Sequence, residues 1–99
     1  MYNNCSKIKT YLGFAKRARK IVYGVDDIIK LKNFNCLILS SSNLSESSFD
    51  KLNKIAEKNN NKVYIIDAET FAQNIENEFI KAIAITDKSL SEAIKKELD

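Results

Sequence analysis

Apolar positions along this chain recur at two alternating periods. Between residues 4 and 18, Ile8, Tyr11, Leu12, Ala15 and Ala18 fall three and four apart, which predicts a helix with one inward stripe. Asn3, Asn4 or Ser6 is placed to cap it. Ile21-Val22-Tyr23 predicts a short strand closed by Gly24, and a second helix is expected over Val25–Lys32 with Val25, Ile28 and Ile29 inward. Asn33–Asn35 reads as a turn. Cys36-Leu37-Ile38-Leu39 is a continuous apolar run suited to a strand buried on both faces, followed by a polar loop, Ser40–Asn43. Ser45 is expected to cap a third helix whose stripe is Phe49, Leu52, Ile55 and Ala56 and which ends at Asn59–Asn61. Val63–Ile66 is the next strand, and Asp67 caps a fourth helix carrying Phe71, Ala72 and Ile75 inward. Ala82–Ile85 is the last strand. Ser89 and Glu92 have the spacing of a capping box for a final helix with Leu90, Ala93, Ile94 and Leu98 inside.

Helices alternating with short apolar strands argue an α/β fold: a three-layer α-β-α sandwich with a central mixed four-stranded sheet. The 99 residues suffice for one domain, 1–99, with one modest core. No apolar run approaches the roughly 18 residues needed to cross a bilayer. The opening MYNNCSKIKT lacks a signal peptide's apolar region, so a cytoplasmic protein with no membrane partner is expected.

Composition narrows the chemistry. Histidine is absent, which removes the commonest metal ligand and the commonest general base. Cys5 and Cys36 are the only cysteines, too few and too far apart for a zinc pattern, and a reducing cytosol disfavours a disulfide between them. Cys36 is most simply a small core residue. With only Gly13 and Gly24, neither a Walker A loop nor a GxGxxG turn can be written. No enzymatic activity, metal or cofactor is expected.

Charge is segregated along the chain. Residues 1–32 carry eight Lys/Arg against Asp26 and Asp27, a net of +6, whereas residues 33–99 carry eight Lys against eleven Asp/Glu, a net of −3. A basic third on a mildly acidic body is a directional field. Lys16, Arg17, Arg19 and Lys20 crowd the end of the first helix, where cations also suit the negative end of the helix dipole. Asp26 and Asp27 fall in the first turn of the second helix, where carboxylates suit the positive end. Gly13, inside the first helix, costs about 1 kcal/mol against alanine and is expected to admit a close neighbour.

Two chemistries compete for VYGVDDI (Val22–Ile28). Adjacent acids after an early strand resemble the Mg²⁺-holding acids of a response-regulator receiver, but the third acid such a site needs is absent: the corresponding place reads Leu39-Ser40-Ser41-Ser42. The other chemistry is nucleic-acid recognition. Lys16, Arg17, Arg19, Lys20, Lys30 and Lys32 would neutralise phosphates, and the helix start behind Gly24 offers free N–H groups. A carboxylate repels phosphate but accepts hydrogen bonds from a base edge, which phosphate contacts cannot discriminate. RNA suits this better than DNA, because irregular RNA exposes base edges in bulges and loops.

LGFAKRARKIVYGVDDIIK (Leu12–Lys30) is similar to the LGLARRAGKLVSGxxxVLK opening of the bacterial YlxQ-type ribosomal proteins. These belong to the superfamily of the archaeal ribosomal protein L-seven-Ae, whose members bind kink-turn RNA. The resemblance continues through Leu37–Leu52, Val63–Ile66 and Ala82–Asp87, the last looking like the family's VVAVTD. It implies the α-β-α sandwich and an RNA-binding site on the Gly-x-Asn-Glu-x-x-Lys segment, which falls here on Gly24, Asp26, Asp27 and Lys30. Asp26 stands where the family has asparagine, and Asp27 is one methylene shorter than the family's glutamate. Arg19 and Tyr23 replace the family's usual glycine and serine. Ala72 and Glu76 replace two glycines of an LGxAIG segment, giving FAQNIE, and the loop after it, Asn77-Glu78-Phe79, corresponds to the family's second RNA-contacting loop.

The expected function is therefore binding of structured, kink-turn-like RNA, ribosomal or ribosome-associated, by a monomer. Lys16, Arg17, Arg19, Lys20 and Lys30 would hold the backbone around Gly24, Asp26 or Asp27 would accept from a guanine edge, and Tyr23 beside Arg19 would offer a stacking face. The competing expectation is a protein-interaction module on the same fold whose basic edge docks an acidic partner.

Overall fold

The computed structural model describes residues 5–33 and 36–98, with only the backbone described at 5 and 6. In chain order the elements are α1 (Cys5–Arg17), β1 (Ile21–Tyr23), α2 (Val25–Ile28), β2 (Leu37–Ser41), α3 (Glu46–Lys58), β3 (Val63–Ile66), α4 (Ala68–Ile75), β4 (Ala82–Ile85) and α5 (Lys88–Leu98). The four strands form one sheet in the order β1-β4-β2-β3. β4 runs antiparallel to both neighbours, with Ile21 opposite Ile85 on one side and Leu37 opposite Ile85 on the other. β2 and β3 are parallel, Ile38 opposite Val63. The sheet is mixed, as expected from the sequence.

Strand alternation sends successive side chains to opposite faces and builds two cores. Leu37, Leu39, Tyr64, Ile66, Ile83 and Ile85 pack with Ile8, Leu12 and Ala15 of α1, Phe71 and Ile75 of α4, and Ile94 of α5. On the other face Ile38, Ala82 and Ala84 meet Ile28 of α2 and Leu52 and Ala56 of α3. The two layers of helices make the α-β-α sandwich.

Several local expectations need correcting. α2 is four residues long and not the eight of Val25–Lys32. So short a helix gains little from propagation, and the tight turn from Leu31 N–H to the Ile28 carbonyl, 3.1 Å, brings Leu31 to the same core. Ser40 and Ser41 are buried in β2 and not in a loop, because their backbones join the sheet and the Ser40 hydroxyl donates to the Ser41 carbonyl at 3.0 Å. Cys36 precedes β2 instead of opening it; its thiol is free and half-buried, and burial pushes its pKa up, so thiolate is scarce.

The phase of α4 also differs. Phe71, Asn74 and Ile75 are buried, while Ala72 is exposed. Ala18, expected to be inward, is exposed beyond the end of α1. α5 is capped by Asp87 and not by a Ser89–Glu92 box: Leu90 N–H donates to Asp87 Oδ1 at 2.9 Å, and Ser89 lies inside the helix. Ser45 and Asp67 do cap α3 and α4, accepting from Ser48 and Thr70 N–H. The Asn3 and Asn4 caps, the first residue of the expected 4–18 helix and most of the Asn33–Asn35 turn lie outside the described residues; Ser6 lies inside α1.

Gly13 does not admit a close neighbour. Among the described residues, a Cβ there meets only Arg17 Nη1, at 3.9 Å. Gly13→Ala is therefore expected to raise stability by about 0.5–1 kcal/mol in chemical denaturation, the helix propensity difference alone. Asp87→Ala should cost about 1 kcal/mol, with Ser89→Ala close to neutral; the reverse ranking would restore the capping box.

Candidate nucleic-acid interface

The geometry of the site starts at Gly24. Its N–H donates to the Ala82 carbonyl at 2.9 Å, which fastens the end of β1 to the start of β4. The chain then turns sharply, with Gly24 at φ 90° and ψ 148°, a combination open essentially to glycine. A Cβ there would touch nothing within 4 Å among the described residues, so the requirement is conformational, not steric. Ile28 N–H bonds back to the Gly24 carbonyl at 3.0 Å, and α2 begins with Asp26 and Asp27 exposed in its first turn.

These residues form one wall of a groove of about 920 Å³. Tyr23, Gly24, Val25, Asp26 and Asp27 stand on one side. Asn43, Leu44, Ser45 and Ser48, where β2 passes into α3, stand on a second. Glu78, Phe79, Lys81 and Ala82, leading into β4, stand on the third. Phe79 is 86% exposed, yet its loop is ordered by local bonds. Phe79 N–H donates to Asn77 Oδ1 at 2.9 Å, Ile80 N–H donates to the Asn77 carbonyl at 3.2 Å, and the Ile80 side chain packs into the core. Tyr23 is 39% exposed. The groove thus presents two aromatic faces with three carboxylates and one ammonium.

The cations of the first helix lie elsewhere. Lys20 and Gly24 sit at opposite ends of β1: the Lys20 carbonyl accepts from Thr86 N–H at 2.9 Å, beyond the far end of β4. Four residue steps of about 3.3 Å separate them by roughly 13 Å. Lys16 Nζ donates to the Asn74 carbonyl of α4 at 3.0 Å, and the Arg17 guanidinium stands 5.0 Å from the Phe14 ring centre. Both are engaged within the fold. Arg19 and Lys20 are exposed, and Lys30 is exposed in the turn after α2.

The expected site is therefore divided. Gly24, Asp26 and Asp27 share the groove; Lys16, Arg17, Arg19, Lys20 and Lys30 do not line it. Tyr23 is not beside Arg19, because the length of β1 lies between them. Asn43, Ser48 and Lys81 carry no sequence signal for a site, and Ser45 is marked only as the cap of α3. They become groove residues only because β4 lies between β1 and β2, a pairing that no local pattern signals. Among the described residues no three His, Cys, Asp or Glu side chains converge as a metal site would, and no helix is long and apolar enough to cross a membrane.

No family model matches the chain, and no curated protein does. A solved structure from Bacillus halodurans C, described as a protein with unknown function, is similar over 94% of this chain and 97% of its own, with a TM-score of 0.82 and 22% identity. That likeness shows the α-β-α fold.

Gly24→Ala is expected to cost about 1–3 kcal/mol in thermal or chemical denaturation, since no alanine rotamer relieves the backbone. A loss near zero would mean the turn re-forms in another conformation.

Proposed function

We propose that this chain binds structured, kink-turn-like RNA, ribosomal or ribosome-associated, as a cytoplasmic monomer without catalysis or cofactor. One observation carries the reading: an exposed, locally ordered phenylalanine faces a groove whose carboxylates, Asp26, Asp27 and Glu78, outnumber its one cation, Lys81. Phosphate is repelled from such a groove, and a flat donor-rich edge is attracted. A base stacked on Phe79 or Tyr23 with its amino and imino groups toward Asp26 or Asp27 fits that chemistry. The backbone of the same RNA is then held outside, by cations at the other end of β1. Bases are available in this way in bulged or kinked RNA, not in a regular duplex, whose edges are paired and stacked. The resemblance of Leu12–Lys30 to the YlxQ-type opening supports the same class of ligand.

The test compares a kink-turn RNA with a plain RNA duplex of equal length by fluorescence anisotropy. Binding should weaken steeply with salt on both. Phe79→Ala should weaken kink-turn binding by roughly 5- to 150-fold, the worth of one stacked base, and leave the duplex nearly unchanged. Asp27→Ala should reduce the preference for the kink-turn more than it lowers total affinity. Equal losses on both RNAs would show the acids to be helix-end stabilisers only. Tighter binding of an acidic peptide than of either RNA would favour the protein-interaction module.

A further inference from the structure

Arg19 occupies a conformation that glycine would fill at lower cost. It closes α1 at φ 57°, with its N–H donating to the Lys16 carbonyl at 3.1 Å and Lys20 N–H donating to the Ala15 carbonyl at 2.9 Å. This is the paired-bond turn in which the left-handed residue is usually glycine. Among the described residues, three non-glycine residues have positive φ: Arg19, Asn60 and Glu76. Asparagine tolerates the region well, whereas arginine and glutamate occupy it at a cost.

Backbone strain of this kind clusters at binding and switch sites. The Arg19 side chain is exposed, with no hydrogen bond, ion pair or ring contact among the described residues. Its neighbours Lys16 and Arg17 are occupied by Asn74 and Phe14. Lys20 is exposed, and its carbonyl accepts from both Thr86 N–H, 2.9 Å, and Thr86 Oγ1, 3.2 Å. That contact brings the start of α5 to the same end of the sheet, where Lys88 is exposed but lines a separate groove with Leu37, Asn60 and Glu92. The acid at this corner, Asp87, is engaged in capping α5.

We infer that Arg19 and Lys20 form a phosphate-backbone site at the end of β1 away from the groove, and that Arg19 is held there at a conformational cost for which the fold itself has no use. The inference rests on the RNA reading for the identity of the polyanion. Two adjacent exposed cations suit neighbouring phosphates, and the planar guanidinium of Arg19 supplies the bidentate contact that an ammonium cannot.

Arg19→Gly, Glu76→Gly and Lys20→Gln separate strain from contact. Melting and RNA anisotropy at several salt concentrations are measured on the full chain, with a plain RNA duplex as probe. Both glycine variants should melt roughly 4–8 °C higher. Arg19→Gly and Lys20→Gln should each weaken RNA binding and lower the slope of log affinity against log salt by about 1. Glu76→Gly should bind no more weakly than the parent. An Arg19→Gly variant that melts higher but keeps its affinity and slope would overturn the site while leaving RNA binding intact. A lower melting temperature in that variant would overturn the conformational cost. A parent chain that binds neither duplex nor kink-turn RNA at low salt removes the RNA reading and this site together. Tighter capture of a decaglutamate peptide, sensitive to the same substitutions, would reassign the corner to an acidic protein.

Discussion

The arrangement depends on how a three-residue strand is fastened at both ends. Thr86 N–H reaches back to the Lys20 carbonyl before β1, and Gly24 N–H reaches the Ala82 carbonyl after it. Alone, so short a strand has too few ladder bonds to persist. Pinned to β4, which is itself buried between β1 and β2, it becomes a rigid spacer. Its direction sends the end of α1 to one side of the sheet and the carboxylates of α2 to the other.

That spacer decides the electrostatics. At physiological salt the screening length is about 8 Å, shorter than the roughly 13 Å between Lys20 and Gly24. The groove acids therefore do not cancel the cations at the far end, and the two ends act as separate surfaces of opposite sign. A net charge of +3 describes neither. A ligand that engages both ends must itself offer negative charge and hydrogen-bond donors a little over a nanometre apart, which a nucleic acid with an exposed base edge does.

Departures from good local chemistry cluster around these surfaces. Arg19 ends α1, and Glu76 ends α4 just before the loop that carries Phe79; both take the left-handed turn without glycine's freedom. Asn74, two residues earlier, is buried in α4 with its Oδ1 lacking a hydrogen-bond partner among the described residues, although its amide donates to the Thr70 carbonyl at 2.8 Å. An unpaired buried oxygen of this kind costs about 1–3 kcal/mol. Lys16 bonds to the backbone carbonyl of the same residue, so the ends of α1 and α4 are tied together where both are strained. The rest of the core, Leu39, Ile83 and Ile94 among it, follows ordinary apolar packing.

The period of the apolar residues was enough to place every strand to within a residue or two and every helix but the length of α2, because a buried face imposes its spacing locally. Val63–Ile66 and Ala82–Ile85 could be read directly. So could Gly24 as a turn and Asp26 and Asp27 as a first helical turn, since backbone conformation and helix-end chemistry are properties of near neighbours. Which residues share a surface was not local. The groove exists because β4 pairs between β1 and β2, bringing Lys81 and Phe79 against Asp26 across more than fifty positions. The same pairing parted Tyr23 from Arg19, four residues apart, to opposite ends of a strand. Lys16 and Arg17 looked like two further free cations, and only packing against Asn74 and Phe14 showed that they were already engaged. Periodicity records which side chains leave water; strand order alone decides which of those that remain will face one another.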